Sequence, residues 1–226
     1  MTAGVVDPAD RRKIRRDSFA VAMTVAPYGF SFGALASATG FSLAQVAVLS
    51  AIGFTGASQF AFVSVLGSGG TPAGAISTAL LLGARNTLYA VRMTALMDWR
   101  GTRRLLGGHF TIDETVAMAT ARDDPAQSRE AFWATATMLW VTWNLSSLIG
   151  AWVGGSIADP KDWGLDAVFP AAFLALLVPQ LRSRTKIAAA IAGAVVTLVL
   201  APFVPAGVPL LAAAVAVVPL ALRSRR

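Results

Sequence analysis

Apolar residues gather in eight long segments, near 18–38, 41–67, 71–97, 107–121, 131–157, 167–181, 187–204 and 208–222. Runs of about 20 apolar residues are what a roughly 30 Å hydrocarbon core requires of a helix. The pattern therefore predicts an all-α integral membrane protein. Some breaks between segments are charged, at Asp98 to Arg104, Arg122 to Glu130, Asp159 to Asp166 and Arg182 to Lys186. Others hold only small residues and proline, as in Gly67 to Pro72, where Pro72 suits the first turn of the next helix. Nothing marks a separate soluble domain. The reading is a basic N-terminus at 1–17, one transmembrane domain at 18–222, and a basic tail at 223–226.

Composition agrees. Of 226 residues 55% are hydrophobic and only 14% charged, with a mean hydropathy of +0.62. Soluble domains carry about a quarter charged residues. From Ser18 to Ala84 no charged side chain occurs at all. Such a stretch offers no hydrated surface, so a soluble fold is excluded. The absence of cysteine excludes thiol catalysis, cysteine-ligated metals and disulfides, and a single histidine excludes a multi-histidine metal site. No cofactor is expected. The net charge of +7 does not point to nucleic acid, because the basic residues form short clusters beside apolar runs, the pattern that orients helices in a membrane. The run Arg11 to Arg16 precedes an apolar segment without a clear cleavage site, so Ser18 onward is read as a retained first span.

The positive-inside rule constrains the topology. The clusters at 11–16, 98–104, 122–129, 182–186 and 223–226 hold 16 of the 19 Lys and Arg. Placing them all in the cytoplasm, with both termini, leaves Lys161 outside beside Asp159, Asp162 and Asp166. Both ends of 41–67 must then lie outside, and both ends of 107–121 inside. Two re-entrant broken helices satisfy this, since non-helical backbone at membrane depth is tolerated where it lines protein or a wet cavity. Breaks are available at Gly53 to Gln59 and at Gly107 to Glu114. The expectation is about six full spans plus two re-entrant segments. The rival reading makes 41–67 one tilted span about 40 Å long.

Phe54, Thr55 and Ala61 align with Phe110, Thr111 and Ala117 at an offset of 56 residues. At that offset 18–38 falls on 74–94, which crosses in the opposite direction. An inverted repeat would produce this, with a substrate site where its two broken helices meet; a chance match is the alternative.

The ordered set Pro27-Tyr28-Gly29-Phe30-Ser31-Phe32-Gly33, Gly53 to Phe60, Gly83 to Tyr89, and Asp113-Glu114-Thr115 resembles the AzlC family, large subunits of bacterial branched-chain amino-acid exporters. The likeness runs along nearly the whole chain. Where that family places a polar residue before its intramembrane arginine, this chain has Gly83-Ala84. The resemblance implies export of leucine, isoleucine or valine, a small hydrophobic membrane partner of the AzlD type, and residence in the bacterial inner membrane.

Residue chemistry singles out an overlapping set. Thr55, Gly56, Ala57, Ser58 and Gln59 sit in the first break. A half-helix starting near Ser58 would aim free N–H groups at a carboxylate, with Ser58 and Gln59 adding hydrogen bonds; tight helix packing by the small residues is the plainer reading. Arg85 lies inside a span, where arginine is costly unless paired or wet, and is therefore a functional candidate with Asn86 beside it. Arg92, two turns on, can snorkel to the interface. Asp113 and Glu114 suit a substrate ammonium group or a coupling proton. Equally, Thr111 and Glu114 read as the ends of a capping box, and His109 is placed to pair with Asp113. Asn144 could line a site or join helices, Trp99 and Trp163 read as interfacial anchors, and Phe30 and Phe32 as pocket walls or packing.

The combined expectation is a secondary transporter, with coupling to proton movement compatible with its carboxylates, and not an enzyme: no nucleophile and base show a recognisable arrangement. No Walker motif is present. A channel or carrier for another small solute is the alternative.

Overall fold

A computed structural model describes residues 6–156, 174, 177–178, 181–205 and 207–223. The expected span 167–181 falls almost entirely outside the described residues, as do Asp159, Lys161, Trp163 and most of the basic tail. Among the described residues there are nine helices and no strand. They are α1 (Pro8–Ala38), α2 (Leu43–Ile52), α3 (Ala57–Gly67), α4 (Pro72–Met97), α5 (Thr102–His109), α6 (Asp113–Thr120), α7 (Pro125–Gly155), α8 (Arg184–Leu200) and α9 (Val208–Arg223). By length and composition one of them, α1, is clearly long and apolar enough to cross a membrane.

Helix starts follow side-chain chemistry. Asp7 accepts the Ala9 N–H at 2.7 Å ahead of Pro8, Thr71 accepts from Gly74 ahead of Pro72, and Asp124 accepts from Ala126 and Gln127 ahead of Pro125. Each pairs a capping oxygen with a proline in the first turn. The basic N-terminus is thus no loose tail: from Pro8 it forms the first turns of α1. There Arg15 bonds Glu130 at 3.1 Å, Gln127 donates to Asp10, and Arg122 bonds Asp17. These contacts tie α1 to the start of α7.

The most extensive packing is α1 against α7. Gly29 and Gly33 on α1 lie against Trp143, Ser146, Ser147 and Ala151 of α7, and Gly150 and Gly154 on α7 lie against Phe30 and Ala34 of α1, the glycines of each helix four residues apart. A Cβ at Gly33 would collide with the Ser147 carbonyl, and one at Gly150 with the Phe30 carbonyl. Small residues at this spacing let membrane helices approach backbone to backbone. A buried hydrogen bond, Ser18 Oγ to Thr135 Oγ1 at 2.9 Å, joins the same helices. On its outer side α7 exposes Val141, Leu145, Ile149 and Trp152, one face at helical spacing that suits lipid.

Around this pair, α2 and α6 pack on α7, α3 packs on α4, and α8 and α9 pack on each other with α9 touching α4. One core cluster joins Phe32, Phe60, Val63 and Trp143; the ring of Phe32 lies 5.7 Å from Phe60 and 5.9 Å from Trp143. A second joins Met93, Met97, Trp99 and Phe132. Trp99 is therefore not an interfacial anchor. It is 7% exposed, with its ring 4.9 Å from that of Phe132 and against Gly107. Phe32, fully buried, serves packing and not a pocket wall.

Candidate functional site

Two apolar segments break in mid-course, and the breaks correspond. The first separates α2 from α3, which begins at Ala57; the second separates α5 from α6, which begins at Asp113. The two start points differ by the same offset of 56 read from the sequence. Gln59, third residue of α3, accepts the Gly56 N–H, and Thr115, third residue of α6, accepts the Ile112 N–H. Thr55 donates back to the Gly53 carbonyl, and Thr111 to the Gly107 carbonyl. At Gly56 the chain turns with φ +62°, which glycine accommodates without strain. Phe54 and Phe110, themselves an offset pair, meet edge to face with centroids 6.1 Å apart, so the two breaks touch.

This register corrects the capping box expected at Thr111 and Glu114. The cap residue is Ile112, whose N–H is accepted by Thr115, because Thr111 spends its hydroxyl on α5. The Glu114 carboxylate accepts from its own backbone N–H and lines the cavity described next.

Between the breaks lies a cavity of about 160 Å³, ample beside the ~10–15 Å³ that admits one water. Its apolar wall is built by Val25, Phe54, Phe60, Ile112, Leu139 and Trp143, and its polar wall by Tyr28, Thr55, Arg85, Asn86, Asp113 and Glu114. Gly56 and Ala57 bring the N-terminal turn of α3 to one side, while Asp113 and Glu114 belong to the first turn of α6. Arg85 reaches from the middle of α4 to bond Asp113 at 2.8 Å. The Tyr89 hydroxyl, one turn along α4, stands beside the same carboxylate. Asp113 thus pairs with Arg85 and not with His109, whose ring lies against Phe54 and Phe110.

Of the expected site residues, Thr55, Gly56, Ala57, Arg85, Asn86, Asp113 and Glu114 line this one cavity. Ser58 and Gln59 do not. Ser58 is buried and faces Gly83 of α4. Gln59, 1% exposed, is occupied at both ends, since its amide also donates to the Leu49 carbonyl at 2.7 Å. Arg92 is exposed, and Asn144 donates to the Trp140 carbonyl. The aromatic wall was missed as such. Phe54 and Phe60 lay within the motif, but Leu139 and Trp143, four residues apart on α7, carry no signal distinguishing them from ordinary core.

Three buried polar atoms around the cavity have no hydrogen-bond partner among the described residues: Arg85 Nε, Asn86 Oδ1 and Trp143 Nε1. Unmet hydrogen-bonding groups in a protein interior are uncommon and call for an explanation. Two are donors and one is an acceptor.

The AzlC protein family profile matches residues 20–157. The chain belongs to the AzlC family. The matched region spans α1 to α7 and so contains both breaks and the whole cavity. Over 189 residues the chain is 26% identical to the inner membrane protein YgaZ of Escherichia coli K12, covering 79% of this chain and 77% of the relative. It is 27% identical over 180 residues to an uncharacterised membrane protein of Archaeoglobus fulgidus, covering 79% of each. A Helicobacter pylori membrane protein is 27% identical over 162 residues, 70% of each chain. No solved structure matches the chain.

Proposed function

We propose that this AzlC-family protein is the large subunit of a two-component secondary transporter that exports branched-chain or similar apolar neutral amino acids across the bacterial inner membrane. The observation that carries this reading is the cavity itself. A single ion pair, Arg85 with Asp113, sits against a wall of Phe54, Phe60, Leu139 and Trp143. A zwitterion with an apolar side chain complements both features. Its carboxylate takes Arg85, its ammonium group takes Asp113, and the exchange leaves no charge without a partner. The unmet donors of Arg85 and Trp143 and the unmet acceptor of Asn86 match the same head group. The N-terminal turn of α3 adds a favourable field for the carboxylate. The hydrocarbon side chain then lies on the aromatic wall.

In this reading the termini are cytoplasmic, the α2–α3 and α5–α6 segments are re-entrant, and the first six helices form an inverted repeat whose breaks enclose the substrate near the midplane. The family resemblance supplies the substrate class, the outward direction and a small AzlD-type partner. The test is efflux of radiolabelled leucine from loaded proteoliposomes, with and without the co-expressed small subunit. Acceleration by the pair is expected. No acceleration for leucine, isoleucine or valine would discard this reading in favour of a carrier or channel for another solute.

A further inference from the structure

The charges around the cavity do not balance. One cation, Arg85, faces two consecutive carboxylates, Asp113 and Glu114. Arg85 is taken by Asp113 at 2.8 Å, and among the described ion pairs none involves Glu114. The other titratable groups near it are Tyr28 on α1, Tyr89 on α4 and His109 on α5, whose ring is turned to Phe54 and Phe110. Neither α7 beyond Glu130 nor the whole of 41–67 contributes a titratable side chain. Independently, Trp143 lines the same cavity at 4% exposure with its Nε1–H unmet, which marks a place for a ligand.

An ionised Glu114 has no counter-charge of its own among the described residues, since it shares Arg85 with Asp113, and burying an incompletely paired charge is costly. A proton supplies what is missing, and so does an ammonium group. We infer that Glu114 is the coupling residue of the exporter: a proton and the substrate ammonium group compete for its carboxylate. This rests on the exporter reading above. In the inward-facing state the arriving amino acid places its ammonium between Asp113 and Glu114, and the Glu114 proton leaves to cytoplasmic water. In the outward-facing state a proton from the external water returns to Glu114 and releases the substrate. One proton enters for each amino acid exported, and no other group need change its charge.

Leucine binding to the purified complex, measured by scintillation proximity against pH, tests this together with proton release in weak buffer. For the wild type, affinity should fall with falling pH by up to about tenfold per unit, the limit for one linked proton. Binding should release up to about one proton. Glu114→Gln should bind leucine more weakly than the wild type at high pH, with a flat pH profile and no proton release. In proteoliposomes its efflux should no longer respond to a pH gradient. An unchanged pH profile and proton release in Glu114→Gln would overturn the proposal, as would wild-type binding without proton release. If Glu114→Gln does not fold, Glu114→Asp decides: a shifted midpoint is expected, and an unmoved one overturns it. A wild type that binds no leucine at any pH sinks the exporter reading itself.

Discussion

Arg85 of α4 and Asp113 at the start of α6 form an ion pair at 2.8 Å in the lining of an aromatic-walled cavity. The pair links the long helix after the first break to the first turn after the second. It explains how an arginine is accommodated in an apolar span: the cost of its charge is met by a partner, and the partner stands where the substrate is placed by the exporter reading.

Arg85→Ala should therefore reduce leucine efflux by roughly 10- to 100-fold, the range expected when a hydrogen bond to a charged group is lost. Arg85→Lys should recover only part of this, because lysine lacks the planar fork. Because both residues act on one pair, Arg85→Ala with Asp113→Ala should cost clearly less than the sum of the single changes. Initial efflux rates in proteoliposomes check this, and additive losses would show that the two act separately.

Gln59 and Thr115 hold the two breaks in shape. Gln59→Leu strands the Gly56 N–H and one bond to the Leu49 carbonyl, and Thr115→Val strands the Ile112 N–H. Each should destabilise the protein by about 1–3 kcal/mol, visible as a lower unfolding temperature in detergent. Since Gln59 lies outside the cavity lining, the Gln59→Leu protein that remains folded should keep its KM for leucine. A large KM shift without loss of stability would place Gln59 at the substrate.

The α1–α7 contact tolerates no added atom at Gly33. Gly33→Ala drives a Cβ into backbone, which cannot step aside, and overpacking of this kind costs about 1–3 kcal/mol. Gly108 has open space around it and lies within α5, so Gly108→Ala should not destabilise and should add up to about 1 kcal/mol of helix propensity. Equal effects at the two positions, read from folded yield and thermal unfolding, would contradict the packing account.

Phe60 forms part of the apolar wall and contacts Phe32 and Trp143. Phe60→Ala should enlarge the cavity, weaken leucine transport and favour larger apolar amino acids such as phenylalanine. A shift of about 10-fold or more in the ratio of the two kcat/KM values is expected, since pocket-size changes of this kind are worth about 1–3 kcal/mol.

Re-entrant passage of α2 and α3 would place Gly40 and Gly69 on the same side of the membrane. Single cysteines introduced there, in a chain that has none of its own, should react with an impermeant thiol reagent from one and the same face. Labelling from opposite faces would replace the re-entrant arrangement with a continuous span.

Much of this protein was legible in its residues. The charge-free run from Ser18 to Ala84 excluded a soluble fold, because hydration of a surface depends on composition alone. The helix start at Pro72 was a local matter of a cap and a proline, and the positions of both breaks followed from glycine and from the 56-residue offset, whereas α1 and α7 begin at Pro8 and Pro125, ahead of the apolar segments read from 18 and 131. Partnership was not legible. Only the folded chain decided that Asp113 turns to Arg85 and not to His109, that Thr115 and not Glu114 closes the cap, that Gln59 is spent on backbone, and that Trp99 is core. These outcomes depend on which helix faces which, and a side chain binds whatever stands within about 3 Å of it. Sequence spacing fixes that distance within a helix turn; between helices it is set by packing, here by how closely the glycines of α1 and α7 let two backbones meet.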